Sequence, residues 1–404
     1  MIPPVRVTNT VQASFFVRII AVFLLTSPAS SYADAPYIDP ADDAANFGDI
    51  EKILFWNTAQ KVAGFRNMET LAWTRRVAAG DHSLPLPEAP VDLSAFRFTH
   101  DGKIYSIDDY IRSHNVAGLI VVQDGKILFE RYALGNSEDS LWLSWSVAKS
   151  VTSLLVGAAI QDGYIESVDE KVSDYLPRLK GSSYDDVTIR DLMQMASGVE
   201  WNEDYADPQA DINTIVWDTL SVYEQLRHKP RFAEPGAEYN YNTAETNLVG
   251  TLVRAAIGNN LSNYLSQKIW QPFGMEHDAL WNLSEDGGGE FGGSSLNASL
   301  RDYARIGLFV MNNGRTGAGE QVLPADWITK STEPSPANAR YGYLWWLRGD
   351  GAFAASGIFG QAIHIHPESK LVIAQHSARE AASDPDDWAK QLAFFTALTK
   401  ELQD

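Results

Sequence analysis

Residues Trp145-Ser146-Val147-Ala148-Lys149-Ser150 lead straight into an apolar run, Val151 to Ile160, and Gln161-Asp162-Gly163 closes it with a glycine stop. The pattern predicts a buried helix that opens at Ser146. On such a helix, a spacing of three puts the Ser146 hydroxyl and the Lys149 amine on one face, about one turn apart. A serine hydroxyl is a poor nucleophile at neutral pH and needs a neighbour to remove its proton as the new bond forms. Lysine can do this only when neutral, and burial disfavours the ammonium form. A helix start at Ser146 also aims backbone N–H groups at a developing oxyanion. A lone Ser-x-x-Lys tetrapeptide fits a plain helix N-terminus with a solvated lysine just as well, so the catalytic reading needs partners elsewhere in the chain.

Working outward, Ala117 to Gln123 is apolar, Asp124-Gly125 is a hairpin turn signal, and Lys126 to Tyr132 reads as a second strand. Downstream, Val168 to Leu283 is mostly helical in pattern and broken by prolines, which predicts a helical lobe over about 168–290. Glycines concentrate at Gly287 to Gly289 and at Gly292-Gly293; without the Lys-Ser/Thr sequel of a phosphate loop they read as a flexible connection. A helix is expected over Ser299 to Asn312, then strands at Tyr343 to Leu347, Gln361 to His366 and Leu371 to Gln375, and a final amphipathic helix from Asp387 to Leu402. Strands at both ends with helices between them predict an α/β protein, one sheet built from distant segments with the lobe inserted. Asp34 to about Phe96 reads as an N-terminal arm packing on the body, with an aromatic helix-like stretch near Ile53 to Val62. The catalytic domain is expected over 97–404.

The chain has 404 residues, 45% of them hydrophobic, which suffices for a sizeable core. Residues 1–33 read as an export signal: Arg6 and Arg18 precede the apolar Ile19 to Leu25, and Ser31-Tyr32-Ala33 offers small residues for cleavage after Ala33. That run is too short to span a bilayer, so no membrane anchor is expected after cleavage. Removal of both arginines and of no acid takes the formal charge from −20 to −22. Nucleic acid is therefore not expected as a partner, and anionic substrates are disfavoured at long range. There are no cysteines, hence no disulfide and no thiolate chemistry. The expected compartment is the periplasm or the exterior.

Two further stretches offer partners for Ser146. Tyr239-Asn240-Tyr241-Asn242-Thr243 follows Glu234-Pro235-Gly236, and Tyr241 at such a turn can share the proton between Ser146 and Lys149 or pass it to a leaving group, provided the lysine lowers its pKa. Ala355-Ser356-Gly357-Ile358-Phe359-Gly360-Gln361 is a small-residue run entering a strand, where a backbone can approach a substrate and lend an N–H to an oxyanion hole. The alternatives are an ordinary packed tyrosine and a tight turn.

In this order the three stretches resemble the serine hydrolases with a penicillin-binding-protein and class C β-lactamase fold. Those enzymes carry Ser-x-x-Lys, then Tyr-x-Asn or Tyr-x-Ser, then a Lys-Thr-Gly or His-x-Gly strand. The resemblance also covers Ile269-Trp270-Gln271-Pro272-Phe273-Gly274-Met275 and Arg301-Asp302-Tyr303-Ala304-Arg305-Ile306-Gly307. It implies an antiparallel sheet flanked by helices, with Ser146, Lys149 and Tyr241 catalytic and no cofactor required. Two departures point inside the family. Thr243 stands where a β-lactamase is expected to have Asn, and Ala355 stands where it has the cation that grips a substrate carboxylate. Penicillins and cephalosporins are therefore not expected to be good substrates.

Asn202-Glu203-Asp204-Tyr205 with Asp207-Pro208, and Gly357-Ile358-Phe359-Gly360-Gln361, look like the 6-aminohexanoate-dimer hydrolase branch and its esterase relatives. That likeness implies Tyr205 on a loop closing over an amide, Ile358 as the second oxyanion N–H, and Ser356, Gly357 and Thr243 beside the substrate. Phe359 replaces a histidine of that branch, and Gly293 aligns with its binding asparagine. The expected activity is hydrolysis of a small linear amide or ester through an acyl-enzyme; a β-lactamase or D-alanyl peptidase, or a non-catalytic binding homologue, are the alternatives. His364 and His366 lie two apart on a strand with no third ligand in view, so they read as a surface pair on an edge strand, and no metal is expected. Trp345 and Trp346 alternate, so only one of them can face the site.

Overall fold

Leu119 and Val121 point one way from their strand and Ile120 and Val122 the other, since successive side chains alternate, and all four are buried. A strand that is apolar on both faces belongs inside a covered sheet. The structure, a computed structural model, describes residues 39–403 and places it there. In chain order the elements that matter are strands Thr74–Val77 (β1), Val116–Gln123 (β2), Lys126–Tyr132 (β3) and Trp142–Leu143 (β4), helix Val147–Gln161 (α1) and helix Thr243–Ile257 (α2). Strands Ala279–Asn282 (β5) and Leu296–Ala298 (β6) and helix Leu300–Met311 (α3) follow. The chain then ends with strands Trp346–Leu347 (β7), Phe353–Ser356 (β8), Ala362–His366 (β9) and Leu371–Ser377 (β10) and helix Pro385–Glu401 (α4).

The main sheet has six strands in the order β3-β2-β10-β9-β8-β7, every pair antiparallel. Segments more than two hundred residues apart thus share one sheet, as the strands at both ends of the sequence suggested. Against one face lie α1 and α3, packing with Ile120, Val122, Ile363, Val372 and Ala374. Against the other lie α4 and helix Ile107–Ser113, packing with Leu119, Val121, Leu371 and Ile373. A second, four-stranded sheet runs β1-β5-β6-β4 and ties the segment before the body to the strand that precedes α1. Among the described residues, no helix is long and apolar enough to cross a membrane.

Two expectations need correction here. His364 and His366 are buried, because β9 is the fourth of six strands with α4 over its face. The His364 ring packs 5.3 Å from Phe395, and burial holds its pKa down at about 3, so it is a neutral core residue. The helix expected around Ile53 to Val62 is two pieces, a short turn Ile50–Phe55 and a helix Thr58–Phe65. Asn57 breaks it: its side chain accepts from the Gln60 N–H while the Gln60 side chain accepts from the Asn57 N–H, a capping box that starts a new helix.

The segment before the body is fastened by more than β1. Arg66 grips Asp43 with two bonds of 2.6 and 2.5 Å, and both side chains are buried. Phe65, fully buried, sits among Trp56, Trp142, Trp145 and Phe359 with ring centroids 5.7–6.2 Å away. Burying such a ring contributes about 1.5–3 kcal/mol before the aromatic contacts are counted.

Candidate active site

The turn that carries Ser146 is built from polar anchors and strain. Trp145 adopts φ +47, a left-handed conformation that costs a non-glycine residue about 1–2 kcal/mol. Ser144 holds the turn on both sides: its N–H donates to Leu296 O at 3.0 Å, and its Oγ accepts from the Leu296 N–H at 3.0 Å, so the turn is pinned to β6. The chain then enters α1 with Ser146 as the residue before the first helical turn. Val147, Ala148 and Lys149 donate to Ser144, Trp145 and Ser146 carbonyls respectively. The Ser146 N–H donates to no protein group and lies at the positive end of a 15-residue helix.

Lys149 is 1% exposed and its Nζ has three neighbours: Ser146 Oγ at 3.2 Å, Thr243 Oγ1 at 2.9 Å and Gly293 O at 2.6 Å. A carbonyl can only accept. The Thr243 hydroxyl gives its own proton to Glu203 Oε1, so it too can only accept from the lysine. A neutral amine, with two N–H bonds and one lone pair, then spends both N–H bonds on Gly293 and Thr243 and turns its lone pair to Ser146. Burial pushes the Lys149 pKa down to about 8, with the Glu203 carboxylate opposing, which puts the neutral form within reach of physiological pH.

Glu203 was not among the expected site residues, although it lies two positions before Tyr205. Its carboxylate takes four donors: Thr243 Oγ1 and Tyr205 OH (2.6 Å) on Oε1, and Thr243 N–H (2.8 Å) and Trp201 Nε1 (2.5 Å) on Oε2. A carboxylate so saturated is a rigid anchor. The Gly293 carbonyl was missed as well, since a backbone acceptor has no residue signature. A Cβ at 293 would meet Thr243 O at 2.7 Å, so only glycine lets this backbone come up to the lysine. The Gly292-Gly293 segment is therefore a close-packed seam, with Gly292 O also accepting from Thr152 at 2.6 Å, and the flexible connection expected there is overturned.

Tyr241 lies behind Ser146, its ring 5.2 Å from Lys149 Nζ and stacked on Trp346 at 5.8 Å. Burial, and next the Glu203 charge, push its phenol well above the ordinary value, against a partial pull from the Ser146 hydroxyl. The condition set in the sequence, a phenol lowered by the lysine, is not met: Lys149 is not among the groups that shift it. Tyr241 is thus a phenol that can donate a proton, not a phenolate base. Of the two tryptophans, Trp346 reaches Tyr241 while Trp345 is fully buried against Phe353.

The third stretch leaves β8 at Ser356. A Cβ on Gly357 would lie 2.5 Å from Ser144 O, so glycine lets this strand end touch the turn that carries Ser146. Its N–H is used up on Gln361 O at 2.8 Å, and Ser356 Oγ accepts from Arg348 at 3.0 Å. Neither residue is on the wall of the cavity. Ile358 is, and its N–H donates to no protein group, like that of Ser146. Ser146, Thr243, Tyr205 and Ile358 converge on one cavity of about 630 Å3, with Lys149 beside Ser146 and Tyr241 beside Lys149. Among the described residues, no group of three or more His, Asp and Glu side chains is placed to hold a metal.

Several known proteins resemble this chain. A 6-aminohexanoate-dimer hydrolase of Paenarthrobacter ureafaciens is 27% identical over 292 residues, 66% of this chain and 73% of that protein. A solved structure of a provisionally named 6-aminohexanoate-dimer hydrolase from Bacillus anthracis shares the fold with a TM-score of 0.76 at 23% identity, over 85% of this chain and 95% of the other. A family VIII carboxylesterase shares it with a TM-score of 0.54 at 16% identity, over 69% of this chain and 92% of the other. A family profile described as Beta-lactamase matches residues 107–395, and with most of the chain inside that match, the protein belongs to the β-lactamase family of hydrolases.

Proposed function

We propose that the protein is a serine hydrolase that cleaves linear amides or esters of small molecules through an acyl-enzyme at Ser146. The contact between Lys149 Nζ and Ser146 Oγ, 3.2 Å with the other two lysine positions taken by acceptors, carries the reading. In the reaction Ser146 Oγ attacks the carbonyl carbon as its proton moves to Lys149, and the oxyanion settles on the free N–H groups of Ser146 and Ile358. Tyr241 gives its phenolic proton to the departing nitrogen or oxygen and is refilled from Lys149. Water then attacks the acyl ester, its proton following the same route, which releases the acid and restores Ser146. Tyr205, whose hydroxyl hydrogen is committed to Glu203, offers its oxygen to the N–H of an amide.

The likeness to the 6-aminohexanoate-dimer hydrolase supports an amide, and the carboxylesterase fold relative an ester. The loss of a cation at Ala355 counts against β-lactams. Turnover and intact-mass analysis with p-nitrophenyl butyrate, 6-aminohexanoate dimer and nitrocefin, beside Ser146→Ala, separates the readings. Cleavage of ester or linear amide with an inactive control supports the proposal. Fast nitrocefin turnover would move it to a β-lactamase, and the absence of both turnover and an acyl adduct would leave a binding homologue. Residues 1–33 lie outside the described residues; reading them as an export signal puts the reaction outside the cytoplasm, and the N-terminal mass of secreted protein checks the cleavage after Ala33.

A further inference from the structure

We infer that the cavity in front of Ser146 selects a neutral substrate with an apolar chain, and that the segment before the family domain does the selecting. This rests on the proposed acyl transfer at Ser146. The family match begins at residue 107, yet Ile53, Leu54, Leu71 and Trp73, which precede it, line the same cavity as Ser146. Trp217 and Phe291, with ring centroids 5.9 Å apart, add two aromatic faces to the lining. At about 630 Å3 the space suits a ligand well beyond an acetyl group.

Charge decides the rest. Among the described residues on this wall there is no Lys, Arg or His, and the one charged side chain is Glu69, exposed on the segment 68–71. A substrate carboxylate buried here would lose its hydration with no cation to replace it, at a cost far larger than any apolar contact returns. A net charge of −20 adds long-range repulsion. Neutral polar groups come from Thr70, Tyr205, Thr243, Asn247, Asn282 and the Ser294-Ser295 pair, and most of the other lining side chains are hydrocarbon. The zwitterionic 6-aminohexanoate dimer fits this poorly, whereas an alkyl or aryl ester or amide fits it well.

The anchoring of the segment makes it a fixed wall. Phe65 and the Asp43–Arg66 pair hold it to the nucleophile turn and to Leu134 O, so Leu71 and Trp73 stand on a braced element. Trp73 is 59% exposed, and its replacement tests selection without emptying the core.

The experiment compares kcat/KM of the mature protein for p-nitrophenyl acetate, butyrate, hexanoate and octanoate, for the corresponding alkyl acetates, and for p-nitrophenyl hydrogen suberate, whose chain ends in a carboxylate. Each methylene that enters the cavity is worth about a fourfold rise. In one of the two neutral series the longest member is expected to exceed the shortest at least about tenfold, and octanoate to exceed the suberate half-ester by a similar factor. Trp73→Ala should lower the long-to-short ratio at least about threefold, and Leu71→Arg should narrow the gap between octanoate and the half-ester. A flat or falling profile in both series, or a preference for the half-ester, overturns the inference while hydrolysis of acetate still upholds acyl transfer. No turnover of any ester and no adduct on Ser146 removes the proposed function and this inference with it.

Discussion

The Trp145 indole and the Phe359 ring meet edge to face at 5.3 Å. Trp145 precedes Ser146, the proposed nucleophile, and Phe359 follows Ile358, so this one contact joins the two backbone segments whose free N–H groups belong to cavity-lining residues. Phe65 leans on both rings, 5.8 Å from Trp145 and 5.7 Å from Phe359, and Lys61 Nζ lies 4.3 Å over the Phe359 face. An oxyanion hole works only if its donors are held before the charge appears.

Phe65→Ala should therefore weaken folding and catalysis together. Emptying this fully buried site costs about 3–5 kcal/mol. Under conditions where the variant remains folded, kcat should fall about tenfold or more with KM little changed, because donor placement acts in the transition state. Phe65→Leu, which keeps most of the volume, should recover much of both. Thermal unfolding paired with steady-state kinetics reads the two effects, and an unchanged kcat in folded Phe65→Ala would show that the ring braces nothing catalytic.

The alkaline side of the pH profile belongs to Lys149. Its pKa, pushed down to about 8 by burial, governs the fraction of neutral amine, so kcat/KM should climb as pH rises through about 8 and level off above. Tyr241, whose phenol is held well above its ordinary value, should add no limb in the accessible range. Lys149→Met should flatten the profile and lower kcat/KM by about a hundredfold or more. A rising limb near pH 6 would point to another base.

Glu203→Gln tests the lysine's orientation. The carboxylate takes the Thr243 proton and so directs the lysine lone pair at Ser146; an amide can present an N–H to Thr243 instead and undo that ordering. Activity should fall about tenfold to a hundredfold. The charge also raises the Lys149 pKa, so its removal should move the kinetic limb below 8. Both changes are required: a drop in rate with the limb in place would mean that Glu203 only supports the loop.

Much of this arrangement was legible because it follows from local rules. A continuous apolar run and Asp124-Gly125 marked the hairpin, and the Ser146 to Lys149 spacing marked one helix face. What could not be read depends on which strands become neighbours. His364 and His366 look like a surface pair until β9 is known to be internal with Phe395 above it. Gly293 looks like a loop residue until its carbonyl is found 2.6 Å from Lys149. Leu71 and Trp73 become a wall only once β1 pairs with β5, more than two hundred positions on.

Glu245 gives a stability prediction separate from catalysis. It is fully buried on α2; Tyr184 OH donates to Oε1 at 2.9 Å while Oε2 has no partner in the protein. Burial raises its pKa to about 7, with the Ser197 and Tyr184 hydroxyls nearby opposing. The folded protein then holds a proton that the unfolded chain releases near pH 4.5, so the contribution is fully present below about 4.5, declines as pH rises, and is gone above about 7. The loss is of the order of 3 kcal/mol. Glu245→Gln, which keeps an acceptor for Tyr184 and never ionises, should escape it. Its melting temperature relative to the parent should rise between pH 4.5 and 7 and hold steady from there to pH 9. Parallel curves across that range would mean that water or a shifted neighbour already accommodates the Glu245 charge, and the buried carboxylate would then have no bearing on how stability depends on pH.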